Sequence, residues 1–258
     1  MLRLTDPRRV KVTMKEVFSR IMNYWNARKT FQEFLHMSEA TERRFSVKWE
    51  DIFYFGNDNT SGTGFNTSYI YHIAWAARIL AKTRPDVHTD ISSSLWFVST
   101  VSAFIKMEFY DYRPANLLVS NLSRGKADLT KLHFPDNSIS SLSCMHTVEH
   151  VGLGRYGDHL DPNGDLMAIS ELKRVVAHGG NLLFVVPIGK PIIHFNSHRI
   201  YSYAQIREYF KDYELENFYL IPDDAIAAKT GPIENATEMQ SDAQTLGTGC
   251  FWFKKKMQ

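Results

Sequence analysis

Three side chains suited to proton or metal chemistry fall within five residues: His146, Glu149 and His150 of HTVEH. The run fits H-x-x-E-H, in which two histidines one helical turn apart bind zinc beside a basic carboxylate. Directly after it, GLGRYG (152–157) fits the G-x-G-x-x-G of dinucleotide-binding loops. Both motifs depend on their setting. A zinc helix must continue past its second histidine, yet a strand-like run leads up to Met145, and Gly152 and Gly154 follow almost at once. A phosphate loop must open directly into a helix, whereas GLGRYG runs into DHLDPNGD, which is polar and turn-rich. The glycines are therefore expected to serve a loop needing positive φ. A metal-dependent hydrolase stays as an alternative.

The elements around this stretch alternate. Val17, Ile21, Tyr24 and Trp25 recur at helical spacing within 14–39. A Gly/Asn/Thr-rich loop covers 53–68, and Ile70, Ile73, Trp75, Ala76, Ile79 and Leu80 give 69–82 an apolar helical face ended by Pro85. Strands are expected at VHTDI (87–91), IKMEFYD (105–111), ANLLVSNL (115–122) and SISSLSCM (138–145). Asp165 reads as the cap of a helix bearing Leu166, Ile169, Leu172, Val175 and Val176, and His178-Gly179-Gly180 as its C-terminal stop. NLLFVVP (181–187) has the continuous apolar character of a buried parallel strand, and YELENFYLI and GCFWFKK close the chain as strands. This pattern predicts an open α/β sheet over 86–258, preceded by a helical cap over 1–85.

Acids stand where that sheet would place ligands. In open α/β sheets ligands sit beyond the carboxyl ends of the strands. Asp90 ends the first strand. Asp111 ends the second about twenty residues on, the usual offset of a ribose-binding acid. Asp128 follows the third. With ADLTKLHFPDNSISSLSCMHTVEHV and ELKRVVAHGGNLLFVVP, the series from Val87 to Tyr203 resembles a class I S-adenosylmethionine-dependent methyltransferase. The text EHVGLGRYGDHLDPNGD and FNSHRIYSY is similar to a little-characterised bacterial branch associated with surface-polysaccharide gene clusters.

The resemblance implies a Rossmann-like, mostly parallel seven-stranded sheet flanked by helices. It implies cofactor contacts at Asp90, Asp111, Asp128 and Leu129, with Met145 and His146 lining the methionine side. Ser92 and Ser94 of DISSSLW stand where the family has glycines. Serine disfavours positive φ, so either the loop takes an ordinary backbone and donates hydroxyl hydrogen bonds, or cofactor affinity falls.

The implied reaction is O-methyl transfer to a hydroxyl of a sugar or surface polysaccharide. A hydroxyl is a weak nucleophile and needs a base or a metal. His146, Glu149 and His150 would sit at the methyl end, and His194 and His198 of IIHFNSHRIYSY should reach the same rim. One mechanism makes a histidine the base, oriented by Glu149. The other binds a divalent cation at His146, Glu149, His150 and His198, a set similar to the metal site of small-RNA 2′-O-methyltransferases. An E-H pair can also merely order the loop. Arg155, Tyr156 and Asp158, with Arg199 and Tyr201, are the expected acceptor contacts, and Tyr54 and Asp58 belong to a possible lid loop. Cys144 is expected to be a small core residue.

The charge balance, 30 basic against 28 acidic residues for a net +2, gives no nucleic-acid-binding face, and Lys254–Lys256 reads as a solvated end. Two cysteines, Cys144 and Cys250, do not make a disulfide framework. No signal peptide or membrane-spanning run is visible, so a cytoplasmic protein is expected. The rival from another class is a methyltransferase-like module that binds or scaffolds without catalysis, for which Ser92 and Ser94 are the argument.

Overall fold

In the computed structural model, residues 14–39, 41, 45–54, 60–225 and 230–257 are described. The chain divides into two compact units, 1–64 and 65–258. In the first, helix α1 spans Met14–Glu39 and a single 3-10 turn spans Trp49–Asp51. Trp49 meets Tyr24 and Phe31 edge-on, and the Arg28 guanidinium lies 4.5 Å over its ring. Tyr54 is exposed, and Asp58 lies outside the described residues.

The second unit opens with α2 (Thr67–Thr83), which the sequence groups with the N-terminal cap. Its start is set by Asn66, whose side chain accepts from the Tyr69 N–H, and its end by Arg84 in a left-handed conformation, φ 46°. His72, Trp75, Ala76, Ile79 and Leu80 form its buried stripe. This stripe packs with Phe97 and Val98 on one face of the sheet. Each large apolar side chain so buried contributes on the order of 1.5–3 kcal/mol.

The sheet follows as β1 (Val87–Ile91), α3 (Leu95–Val101), β2 (Lys106–Asp111), β3 (Leu122–Lys126), β4 (Ile139–Met145), α4 (Gly164–Val175) and β5 (Val176–Ile188). A separate hairpin, β6 (Ile192–His194) and β7 (His198–Ile200), precedes α5 (Tyr203–Tyr209), β8 (Tyr213–Ile221), β9 (Ile233–Glu234), α6 (Glu238–Asp242) and β10 (Gly247–Lys255). The spatial order is β3-β2-β1-β4-β5-β10-β8-β9. β1 to β5 are parallel, while β10 runs antiparallel between β5 and β8. Strand periodicity divides the core. Leu182, Phe184 and Val186 of β5 face α4 and α5, and Leu183 and Val185 face α2 and α3. The order of strands reverses between β1 and β4, which opens a crevice at their carboxyl ends.

Five expectations change. The sheet has eight strands, because β9 adds a short antiparallel edge. The third strand is Leu122–Lys126, not 115–122; LSRGK is a polar edge strand, and Leu118 upstream is exposed rather than buried. α4 is capped at Asn163, and Asp165 is buried inside its first turn. The helix ends at Val175 and passes straight into β5, so His178-Gly179-Gly180 forms an irregularity in the β4–β5 ladder, with Gly179 at φ 72°. The basic tail is also anchored: Lys255 Nζ donates to Asn137 Oδ1 at 2.7 Å and to the Lys173 and Val176 carbonyls. Among the described residues no helix is long and apolar enough to cross a membrane.

Candidate functional site

A cleft of about 440 Å³ opens at the crevice between β1 and β4. Asp111, Asp128 and Leu129 line one side; His146, Thr147 and His150 line the other. A larger open groove of about 700 Å³ lies between α2 and β8, around Trp75, Arg78 and Trp252, and holds none of the strand-end acids.

On the first side, Asp111 Oδ1 accepts from the Arg113 N–H at 2.6 Å, and Asp128 Oδ1 accepts from the N–H and hydroxyl of Thr130. Each carboxylate is thereby oriented with a second oxygen left over. Ser92 adopts φ 58°, the bend a glycine would take, while its N–H donates to the Tyr110 carbonyl at 2.8 Å. Ser94 instead caps α3, accepting from the Trp96 N–H at 3.2 Å. Ser92 thus takes the glycine-like bend rather than an ordinary backbone, while its hydroxyl does donate to the Tyr110 carbonyl at 3.5 Å, and Ser94 keeps an extended backbone. A left-handed L-residue costs roughly 1–2 kcal/mol, part of which glycine's greater unfolded-state entropy returns. Ser92→Gly should therefore raise stability by about 0.5–1 kcal/mol. Urea denaturation reads it, and a destabilised variant would contradict the account.

Asp90 and Met145 do not line this cleft. Met145 is a core residue against α2 and α3, and Asp90 is wholly buried. Its carboxyl accepts from the Ser93 N–H at 3.0 Å and from the Ser143 hydroxyl, which also meets His88 Nε2 at 2.9 Å. Burial pushes Asp90 up to about 6 and holds His88 down at about 3. His72, also buried, is held down to about 3 by burial and by His146.

Acid therefore works against the fold. A depressed histidine contributes stability present above the unfolded value near 6.5 and lost as pH falls towards 3. Asp90 acts with the opposite sign, gaining as pH falls from about 6 towards 3.8. At about pH 5 the two histidines together cost on the order of 4 kcal/mol and Asp90 returns about 1. A net fall in melting temperature between about pH 7 and pH 5 should follow, removed in part by His88→Asn. A melting temperature that stays level or rises would refute it.

On the other side, β4 delivers His146 at φ 56°, with its N–H on the Val185 carbonyl at 2.8 Å. Its Nδ1 lies 3.0 Å from Glu149 Oε1 and its Nε2 lies 2.9 Å from Ser68 Oγ. Tyr69 stacks on the ring, centroids 5.8 Å apart. Residues Val148–His150 make one 3-10 turn, not a helix, so the zinc-helix reading fails. Glu149 is buried, and its Oε1 is also 3.8 Å from His150 Nε2. His150 Nδ1 lies 2.6 Å from the Ser197 carbonyl. The His198 ring is 6.5 Å from that of His150 and 5.3 Å from that of His194. His198 Nδ1 is 2.8 Å from the Ser197 hydroxyl. Burial and the neighbouring His194 lower the His198 pKa.

Among the described residues, no three His, Cys, Asp or Glu side chains are placed to hold a metal ion. His146 has both ring nitrogens engaged, and His150 Nδ1 faces a carbonyl. The donor set expected for a cation is not assembled. Cys144 and Cys250 are buried and free, and burial pushes both thiols up, as suits core residues.

The loop after Glu149 is held from within. Gly152, Gly154 and Gly157 all have left-handed φ, and a Cβ on Gly152 would lie 2.1 Å from the Asp161 carbonyl. The anion in this glycine loop is its own Asp158. The carboxylate accepts from the N–H groups of Gly152, Gly154 and Tyr156 at 2.8, 3.3 and 3.1 Å. Burial alone would raise Asp158, but these backbone donors bring it below its usual value. Beneath the loop, buried Arg199 pairs with Asp165 at 3.4 Å and donates to the carbonyls of Glu149, Val151, Asp161 and Pro162. The Tyr201 hydroxyl donates to the other Asp165 oxygen at 3.0 Å. Asp158, Arg199 and Tyr201 thus brace the loop; Arg199 and Tyr201 do not line the cleft, whereas Asp158 does. Tyr156 lines the cleft, exposed under the Arg113 and Arg155 guanidiniums, and exposed Arg155 donates to the Ser197 carbonyl at 3.2 Å.

The structure adds Thr147 to the cleft lining, sets Ser68, Tyr69 and His72 against the His146 ring, and sets Thr248 against Ser68. Ser68 and Thr248 are 180 residues apart with hydroxyls 2.8 Å from one another. Nothing in their local sequence announces a tertiary pairing of that separation.

A family model described as "Caenorhabditis protein of unknown function, DUF268" matches residues 125–246. That description does not repeat the bacterial polysaccharide setting suggested by the sequence. No curated protein matches the chain. Among solved structures, the chain is similar to the [4+2]-cyclase SpnF, with TM-score 0.54 and 12% identity over 77% of this chain and 86% of that one. It is also similar to the 1,6-didemethyltoxoflavin-N1-methyltransferase of Burkholderia thailandensis, solved with 1,6-didemethyltoxoflavin and S-adenosylhomocysteine. There the TM-score is 0.52, with 11% identity over 72% of this chain and 78% of that one. The second unit therefore has the fold of class I S-adenosylmethionine-dependent methyltransferases.

Proposed function

We propose that the second unit is an S-adenosylmethionine-dependent O-methyltransferase acting on a hydroxyl of a sugar or polysaccharide. The observation that carries this reading is His146, 3.0 Å from the buried Glu149, lining one cleft together with Asp111 and Asp128. The residues fit the cofactor. The cleft volume suits a small-molecule site. The second oxygen of Asp111 is available to a ribose diol and that of Asp128 to an adenine amino group, with Leu129 against the base. Bound there, S-adenosylmethionine supplies an electrophilic methyl group on a sulfonium.

The chain's own work is to orient the acceptor, exclude water and take up a proton. His146 is the base, and Glu149 holds its Nδ1–H and stabilises the imidazolium that forms. Exposed Tyr156 offers its hydroxyl to a sugar, and Arg155 offers donors to its hydroxyls. The test is incubation with methyl-labelled S-adenosylmethionine and simple methyl glycosides. Release of S-adenosylhomocysteine with a labelled methyl ether is expected.

Cofactor binding with no transfer to any hydroxyl would favour the second reading, a non-catalytic binding or scaffold module. Ser92 in the strained bend supports that reading, and fold alone does not fix chemistry.

A further inference from the structure

We propose that Ser68 takes the proton of the acceptor hydroxyl and passes its own to His146, so that the base is a Ser68–His146–Glu149 relay. The inference rests on the methyl-transfer reading above.

It follows from which lone pairs are free. Glu149 as a carboxylate can only accept, so the 3.0 Å contact from His146 Nδ1 requires the proton on that nitrogen. His146 Nε2 then holds a lone pair and accepts from the Ser68 hydroxyl at 2.9 Å. Ser68 Oγ in turn accepts from Thr248 Oγ1 at 2.8 Å. A hydroxyl oxygen has two lone pairs. One is used by Thr248 and one remains. Both nitrogens of His146 are engaged, so an acceptor that left this network intact could not pass its proton to the ring directly. The remaining lone pair of Ser68 can receive it.

The surroundings hold the relay in place. Asn66 caps α2 and sets Ser68 in the first turn. His72 Nδ1 lies 2.7 Å from the Ser68 carbonyl, which fixes the backbone beneath the hydroxyl. Tyr69 stacks on the His146 ring, with an interplanar angle of 18°. Two buried atoms beside the relay, His72 Nε2 and Glu149 Oε2, have no hydrogen-bond partner among the described residues.

The step balances. As the acceptor oxygen takes up the methyl group, the sulfonium becomes a neutral thioether and the acceptor O–H bond breaks. Its proton joins Ser68 Oγ while the Ser68 proton moves to His146 Nε2, leaving an imidazolium against Glu149. Loss of the His146 proton to solvent resets the relay.

The test has two readouts in the full chain. With S-adenosylmethionine and methyl glycosides, Ser68→Ala should lower kcat by about a hundredfold and leave KM nearly unchanged. Ser68→Thr, which keeps a hydroxyl, should recover most of the loss. Independently of turnover, ¹⁵N NMR of histidine-labelled protein should show His146 protonated at Nδ1, with Nε2 a hydrogen-bond acceptor whose shift moves in Ser68→Ala. A wild type protonated at Nε2 instead, or a Ser68→Ala kcat within about twofold of wild type, overturns the relay alone. No release of S-adenosylhomocysteine by wild type with any glycoside defeats the methyl-transfer reading and the relay with it.

Discussion

His146→Ala is expected to lower methyl transfer by about 10²- to 10⁴-fold, the range typical of a lost general base, while cofactor affinity changes little. The reason is geometric. His146 lines the cleft and makes the shorter of two histidine contacts to the buried Glu149, with Nδ1 at 3.0 Å from that carboxylate and Nε2 at 2.9 Å from Ser68. The acids expected to hold the nucleoside, Asp111 and Asp128, lie on the opposite wall. His146 also takes a left-handed backbone, a conformation that for a non-glycine residue costs about 1–3 kcal/mol and persists only where its surroundings enforce it. Alanine removes the ring and keeps that strained position, so folded protein should be confirmed by circular dichroism before rates are compared. A kcat within a few-fold of wild type would place the base elsewhere, with His150 next in line because its Nε2 faces the same carboxylate at 3.8 Å.

Arg199→Ala is expected to destabilise the second unit by about 3–5 kcal/mol, the cost of removing one partner of a buried ion pair. Arg199 is 4% exposed. Its removal strands Asp165 in the interior with only the Tyr201 hydroxyl and frees the carbonyls of Glu149, Val151, Asp161 and Pro162. Those carbonyls bracket the glycine loop, so loosening should also blur the placement of Glu149 and His150 before global unfolding. Chemical denaturation measures the first effect. Arg199→Lys should recover little, because a single ammonium cannot reproduce the guanidinium fork across several acceptors. A loss below about 1 kcal/mol, typical of an exposed pair, would contradict the role assigned to this residue.

The sheet was largely legible because apolar periodicity survives in its central strands. β4, β5, β8 and β10 are buried enough for their sequences to show it. β3 was not, since LSRGK lies at an edge and has few apolar side chains to bury. The turn from α4 into β5 is not legible, because Gly179-Gly180 carries the same local signature in a strand irregularity as in a helix cap.

The candidate site was legible in part. Asp111, Asp128, Leu129, Ser92, His146 and His150 do share one cleft. Asp90, Met145, Arg199 and Tyr201 do not line it, because residue type says nothing of whether a polar group is turned inward against a partner. Ser68 could not be found at all. Its meaning lies in contacts 78 and 180 residues away in sequence, to His146 and Thr248.

The central claim is that the cleft between β1 and β4 binds the cofactor through the acids at the strand ends. Calorimetry with S-adenosylhomocysteine tests it most directly, using the full chain and its Asp111→Ala variant. The account predicts saturable one-to-one binding, weakened by about 10- to 100-fold in the variant, as expected for a lost hydrogen bond to a charged group. No heat at millimolar ligand, or equal affinity in the two proteins, would contradict it.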